Sequence, residues 1–211
     1  MYRYIAILLC VFFFGTSCKE QPSKKTTPSE ATKKTVVVDS FPTLEALARH
    51  ANEGTLETLL KTTEVQQQSR WVAEGTLKVQ TKTLFPDSDR EIQIDFLPKD
   101  STRVWRVTAT GNDGRCRSAT GVYLGMPVKE LNRRNGVPVN FMGWGWDYGG
   151  AVQFNNGSLA NKHLFLFLSS TTAPPESFQG DTPYASTDPR AKALELYVSK
   201  IVYEAAKPTT L

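Results

Sequence analysis

Apolar residues recur every three or four positions after residue 43, which is the spacing of a helix with one buried face. The apolar positions of this segment are Leu44, Leu47, Ala48 and Ala51. Residues 39–43 offer a polar cap and an early proline, and residues 52–54 can end the helix at a glycine. Leucines at positions 56, 59 and 60 predict a second short helix directly afterwards.

Three stretches in the middle of the chain alternate apolar and polar residues, which is the period of a half-buried strand. They lie at residues 77–82, 92–96 and 103–107. Turn-forming residues at 86–89 and 98–100 separate them. Because these links are too short for a crossover connection, the pattern predicts an antiparallel meander.

The C-terminal third continues the sheet. Residues 164–168 are apolar at every position, which predicts a central, buried strand. The segment 169–189 contains four prolines and is expected to be a loop. Residues 194–203 fit a helix or a strand, and we favour a strand preceded by a helical turn at 190–193. The predicted fold class is α+β: a single domain over residues 39–211, mainly antiparallel β-sheet with a few short helices on one face.

A short, well-delimited helix is predicted between Gly125 and Gly136. Pro127 lies at the expected first helical position, and Val128 and Leu131 share one face. Asn135 and Gly136 tolerate the left-handed conformation that a helix end requires. A strand over residues 137–142 is expected to follow.

The first 18 residues have the order of a secretory signal: a charged start, the apolar run 5–14, the small residues 15–17, and then Cys18. About 20 apolar residues are needed to span a bilayer, so this run is too short for a permanent membrane helix. We expect a signal peptide at 1–17 and lipid attachment at Cys18. The alternative is an ordinary secretory signal with a cysteine nearby.

Residues 18–38 are expected to be a tether of Lys, Thr, Ser and Pro that cannot bury a core. The chain has 25 basic and 21 acidic residues, and the tether holds five of its lysines. Without the signal and the tether, 19 basic residues balance 19 acidic ones. A nucleic-acid partner is therefore not expected, because such proteins concentrate positive charge on a folded face.

The residues that usually carry chemistry are sparse. Cys116 is the cysteine left after Cys10 and Cys18, so no disulfide within the domain is expected, and we expect a half-buried or surface thiol. His50 and His163 have no base or ligand at a useful spacing. No metal-binding or nucleotide-binding motif is present. The sequence predicts no cofactor, no metal and no catalytic residue, and favours a non-enzymatic protein.

The segment 143–150 combines two tryptophans, a tyrosine and four glycines. It could form a binding platform for a glycan or a peptide, because aromatic faces stack on ligands and glycines permit close approach. The candidate binding residues are Trp144, Trp146, Asp147 and Tyr148. The alternative is a glycine-rich turn between two strands, with both tryptophans on one face as part of the core. Asp181 and Asp188 are further carboxylates that a glycan-processing site could use with Asp147.

Two motifs resemble those of known lipoproteins. Residues 15–18 resemble a lipobox, without its usual aliphatic residue three places before the cysteine. Gly125, Met126 and the segment Gly136–Pro138 resemble the helix motif of the SmpA/OmlA lipoproteins, which are components of the outer-membrane β-barrel assembly machinery. Pro127 stands where that family has a hydroxyl residue. The wider block 125–150 looks more like uncharacterised Bacteroidetes-type envelope lipoproteins, and this resemblance implies a family but no activity.

These observations predict a lipid-anchored protein of the bacterial cell envelope. Lys19 follows the cysteine in place of the aspartate associated with inner-membrane retention, which favours the outer membrane. The expected partners are the membrane, through the anchor, and another envelope protein that contacts the sheet or the segment 143–150. The alternative is a surface lipoprotein that binds or processes a glycan through Trp144, Trp146 and Tyr148. A third hypothesis, an inhibitor of a secreted enzyme, rests on fold analogy alone.

Overall fold

The first helix of the computed structural model begins at a polar cap, as predicted. The structure describes residues 41–61, 63–111 and 115–207, so the predictions for residues 1–17 and 18–38, including Cys18, lie outside the described residues. Helix α1 spans Leu44–Asn52 and α2 spans Leu56–Leu60. The Thr43 hydroxyl accepts a hydrogen bond of 3.2 Å from the backbone N–H of Ala46 and so satisfies a free donor of the first turn.

Six of the nine strands that the structure describes form one antiparallel sheet. The strands that the structure describes are β1 (Val65–Val72), β2 (Leu77–Leu84), β3 (Ile92–Leu97), β4 (Asp100–Thr110), β5 (Asn140–Met142), β6 (Val152–Gln153), β7 (Leu164–Ser169), β8 (Pro183–Ala185) and β9 (Tyr197–Glu204). The large sheet has the order β1-β2-β3-β4-β9-β7. The predicted meander is confirmed as β2, β3 and β4.

Strand β1 was not predicted, because residues 66–69 are all polar and show no alternation. It forms because a tight turn folds it back along β2. The backbone N–H of Thr76 donates to the carbonyl of Ala73 at 3.0 Å, and the two strands then pair from Val65 opposite Leu84 to Val72 opposite Leu77. Backbone pairing over the whole strand therefore compensates for a weak hydrophobic pattern.

Helices α1 and α2 cover one face of the large sheet. The core that they share with it includes Leu44, Leu47, Leu56, Ile94 and Val107, all fully buried. Burial of each such side chain contributes about 1.5–3 kcal/mol. The Asn52 side-chain oxygen accepts a 2.7 Å hydrogen bond from the Val104 N–H, which fixes the end of α1 on β4.

The opposite face of the sheet carries a buried ionic group. Thr81, Asp95 and Arg106 are opposite one another on β2, β3 and β4 and therefore point to the same side. Asp95 is fully buried and receives hydrogen bonds from Arg70 at 2.6 Å, Arg106 at 2.9 Å and Thr81 at 2.7 Å. This group, called the Asp95 triad below, consists of Arg70, Asp95 and Arg106 and links β1, β3 and β4.

The prediction of a central strand at 164–168 is wrong. Strand β7 is the outer strand of the large sheet, and Phe165 on it is exposed. The central place next to β4 belongs to β9, which pairs with β4 on one side and β7 on the other. Alternate residues of β7 enter the core, as in a half-buried strand, and a continuous apolar run therefore misled the interpretation.

A second, three-stranded sheet has the order β6-β5-β8. Helix α3 (Val128–Asn135) leads into it and ends at Gly136, whose φ of 78° is the predicted left-handed cap. Pro127 was predicted at the first helical position, but it is the N-cap residue directly before the helix. The strand predicted at 137–142 begins only at Asn140. Phe141 on β5 is fully buried in the same core as α1.

The segment 169–189 is more ordered than a loop. It contains a 3₁₀ turn at Glu176–Phe178, strand β8, and the start of α4 (Pro189–Lys192). Phe178 is fully buried, so this segment supplies part of the core. The favoured interpretation of the C-terminal part, a helical turn followed by a strand, is confirmed by α4 and β9.

The predicted α+β class is confirmed: two antiparallel sheets and short helices within one domain. Among the described residues, no helix has the length and apolar character needed to cross a membrane.

Candidate functional site

The glycine-rich segment 143–150 is the turn between β5 and β6. The N–H of Gly150 donates to the carbonyl of Met142 at 2.9 Å, and the N–H of Met142 donates to the carbonyl of Ala151 at 2.8 Å. Two further bonds of 2.9 Å hold the carbonyls of Trp146 and Tyr148, from Gly149 and Ala151 respectively. The turn is therefore fixed by its own backbone.

The segment around the 3₁₀ turn holds the same loop from the other side. The N–H of Trp144 donates to the carbonyl of Phe178, and the N–H of Gly180 donates to the carbonyl of Trp144, both at 2.9 Å. The N–H of Gly143 donates to Thr182 at 3.0 Å. These bonds satisfy backbone groups that would otherwise need water, and they join two segments more than 30 residues apart in sequence.

Two glycines of the loop are required by close backbone contacts. A Cβ atom on Gly143 would meet the carbonyl oxygens of Gly180 and Phe178. A Cβ atom on Gly150 would meet the carbonyl of Leu168, and its φ of 77° is also a left-handed conformation. Gly143 and Gly150 are thus required by packing against the segment around the 3₁₀ turn and against β7.

Four aromatic side chains form a cluster beneath the loop: Phe141, Trp144, Phe178 and Tyr184. The Trp144 ring lies 5.2 Å from Phe141 and 6.4 Å from Phe178, measured between ring centroids. The Phe178 and Tyr184 rings meet edge to face at 4.8 Å. Such pairs are worth about 0.5–1.5 kcal/mol each beyond their burial. Trp144 therefore anchors the loop to the core.

Trp146 and Tyr148 point the other way. Their side chains are 69% and 67% exposed, and Asp147 between them is exposed as well. Trp144 and Trp146 do not share a face, so the alternative that places both in the core fails for Trp146. The structure keeps three of the four candidate residues together at the surface and assigns Trp144 a supporting position below them. Trp146, Asp147 and Tyr148 are called the aromatic tip below.

Sequence reasoning missed two further exposed aromatic residues. Trp71 near the end of β1 is 63% exposed, and Phe165 lies on the outer strand β7. The turn at residues 73–76, followed by the alternating strand β2, was the available signal for the hairpin that carries Trp71. For Phe165 the run of apolar residues concealed the signal, because exposed and buried positions have the same character.

The described residues bring no catalytic group together. His50 lies near the end of α1, and its Nδ1 is 2.8 Å from the hydroxyl oxygen of Thr55. His163 is exposed and has a left-handed backbone conformation. Cys116 is buried in the core, which corrects the expectation of a half-buried or surface thiol. No group of three or more His, Cys, Asp or Glu residues within the described ranges could hold a metal ion.

The three carboxylates proposed for a glycan-processing site, Asp147, Asp181 and Asp188, have different surroundings. Asp188 caps α4 and receives hydrogen bonds from the side chain and the backbone N–H of Arg190, which lower the pKa of Asp188. A general acid needs a raised pKa, so Asp188 is unsuited to that part. Asp181 and Asp147 are both exposed.

Comparison with known proteins adds little to this picture. No protein-family model matches the chain, and no curated protein is significantly similar to it. The crystal structure of the uncharacterised protein YfeY from Escherichia coli is 15% identical over 67% of this chain and 79% of that chain, with a TM-score of 0.38. At that TM-score the similarity does not establish a shared fold. The resemblance to SmpA/OmlA and Bacteroidetes-type lipoproteins stays a prediction.

Proposed function

We propose that this protein is a lipid-anchored component of the bacterial envelope that binds another envelope protein and has no enzymatic activity. Cys18 is the proposed point of attachment, and the aromatic tip is the proposed contact. The signal-like order of residues 1–17 supports the anchor. The contrast between a fixed backbone and exposed aromatic side chains supports the contact.

The observation that carries this proposal is the exposure of Trp146 and Tyr148 on a turn whose backbone is bonded on both sides. Aromatic residues are enriched among the few side chains that supply most of the binding energy of protein interfaces. They lose little conformational entropy on binding, because each has two rotatable bonds. A turn that is already rigid further reduces the entropy lost on association.

A protein partner fits the aromatic tip better than a glycan. About two thirds of each aromatic side chain projects into solvent, so the pair can enter a pocket on a partner. Sites for small ligands instead enclose most of the ligand within a cavity. The single carboxylate of the tip, Asp147, can contribute a polar contact at the rim of such an interface.

Photocrosslinking at the tip tests the proposal. Asp147 is replaced by benzoylphenylalanine in the full-length protein, which is then irradiated in its own membranes and isolated. We expect a single stoichiometric protein adduct. The adduct should disappear when Trp146→Ala and Tyr148→Ala are added, because these substitutions remove the anchoring side chains.

Phe165→Ala is the matched control, since it removes an exposed aromatic residue outside the tip and should leave the adduct unchanged. Thermal unfolding of each variant checks that the fold is retained. Copurification of glycan or peptidoglycan fragments without a protein adduct, lost with Trp146→Ala, would replace the protein-binding proposal with the glycan-binding alternative.

A further inference from the structure

Strand β1 leaves one edge of the large sheet unpaired within the described part of the chain. It is eight residues long and pairs with β2 along its full length without a bulge. The backbone N–H and C=O groups on its outer side are therefore arranged in a regular row. Such a row is complementary to another extended strand.

Most of the usual protections against strand pairing are missing from β1. Soluble proteins protect edge strands with prolines, bulges, short lengths or outward lysines. Strand β1 has none of these, and its central residues Gln66–Ser69 are uncharged and exposed. Its one charged residue, Arg70, reaches across β2 to Asp95 on β3 through bonds of 2.6 to 3.1 Å, so its guanidinium lies over the sheet and away from the outer edge.

We propose that β1 pairs antiparallel with β1 of a second copy of this chain, so that the two large sheets join into one across a two-fold axis. The partner is a second copy because the strand is complementary to itself. Its one charged residue, Arg70, is ion-paired with Asp95, and it has an exposed aromatic residue near one end and a β-branched residue at the other. In a two-fold antiparallel contact, the aromatic end of each copy lies beside the β-branched end of the other, so the same pair forms twice.

The alternation of side chains restricts the register. Residues opposite each other in an antiparallel pair lie on the same face. The two-fold axis must therefore lie at one residue, which is then opposite its own copy, and not between two consecutive residues. Gln68 and Ser69 are the positions that give the longest overlap of β1 with itself. An axis at Gln68 places Trp71 opposite Val65 of the second copy, whereas an axis at Ser69 places Trp71 opposite Gln67.

The Gln68 register is favoured by side-chain chemistry. Aromatic and β-branched residues form stabilising cross-strand pairs. In this register both copies of Trp71, each 63% exposed in the monomer, are covered by Val65, which is itself half-buried. Arg70 faces Gln66 of the second copy, so no like charges oppose each other along the strand. The structure therefore assigns Gln68 to the symmetry axis.

Single cysteines at the axis test this assignment in the full-length protein in its own membranes. Opposed residues in an antiparallel pair have Cα atoms about 4.5–5.5 Å apart, within the range that a disulfide spans. We expect Gln68→Cys to shift to twice the monomer mass on a non-reducing gel after mild oxidation. Gln67→Cys should stay monomeric, because its two copies are diagonal neighbours about 7–8 Å apart.

Two controls complete the crosslinking experiment. The parent protein reports any dimer formed by its native cysteines. Ser69→Cys distinguishes the two registers, and a dimer with Ser69→Cys in place of Gln68→Cys would overturn the assignment of the axis. Absence of a dimer with both variants would overturn the pairing itself.

A charge exchange measures the same contact without a covalent bond. Gln68→Lys and Gln68→Glu each place two like charges opposite each other across the axis, and each protein alone should be monomeric. When the two proteins are mixed, opposite charges face each other and a heterodimer should form. The side chain of Gln68 is exposed, so neither substitution should disturb the monomer. Dimerisation of Gln68→Lys alone, at the level of the parent protein, would contradict the proposal.

Discussion

At the scale of single residues, the Asp95 triad shows how a polar side chain can be required in a sheet. Two guanidinium groups and a hydroxyl satisfy the Asp95 carboxylate, which water does not reach. Loss of the carboxylate leaves two positive charges next to each other without a counter-ion, a situation that costs about 3–5 kcal/mol in buried ion pairs. Arg70 and Arg106 are 29% and 28% exposed, so water can relieve part of this cost.

We therefore expect Asp95→Ala to lower the free energy of unfolding by about 3 kcal/mol, at the lower end of that range. Urea unfolding followed by circular dichroism measures this change. Asp100→Ala is the control, because Asp100 also accepts hydrogen bonds from a neighbouring residue, Thr102, but lies at the exposed start of β4. Equal losses in the two variants would show that the Asp95 triad has no special stabilising effect.

At the scale of elements, two glycines with nearly equal positive φ angles separate the effect of strain from the effect of packing. Gly136 ends α3 with φ of 78°, and Gly150 ends the loop of the aromatic tip with φ of 77°. An added Cβ at Gly136 meets no atom within 4 Å, whereas one at Gly150 meets the carbonyl of Leu168. Gly136→Ala should therefore cost about 1 kcal/mol of unfolding free energy, the cost of the left-handed conformation for a residue with a Cβ.

Gly150→Ala should cost clearly more, because the loop must also move away from β7. The bond from the Leu168 N–H to the Gly150 carbonyl would be lost with this movement. Urea unfolding measures the difference in stability, and partner crosslinking from position 147 measures the displacement of the tip. A Gly150→Ala protein as stable as Gly136→Ala, with unchanged crosslinking, would show that the loop tolerates a side chain there.

At the scale of the whole molecule, the elements with a regular apolar period could be predicted from the sequence. The arrangement that depends on backbone pairing between segments could not. Helix α1 and the meander β2–β4 follow directly from their apolar spacing. Strand β1 has no alternation of its own and could be inferred only from the turn and the strand that follow it, whereas the position of β7 depends on pairing with the distant β9. The aromatic tip was predicted as a segment, but the division between Trp144 and Trp146 was not, because it depends on Phe178, more than 30 residues away.

The proposed anchor is also a property of the whole molecule. Cys18→Ser should abolish incorporation of radiolabelled palmitate, since the thiol is the proposed site of lipid attachment. Cys116→Ser is the control and should keep the label, because Cys116 is buried in the core. Label retained in Cys18→Ser would contradict lipidation at this cysteine and favour an ordinary secretory signal.

The position of β9 has a consequence for when the chain can fold during its proposed export. This strand is the last one described along the chain, yet it lies between β4 and β7 in the large sheet. Until residues 197–204 have been synthesised, β4 and β7 have no common neighbour, and the hydrophobic core that includes Leu166 and Ile201 cannot close. We therefore expect an incompletely synthesised chain to leave this core open, which is compatible with the proposed export of the chain in an unfolded state.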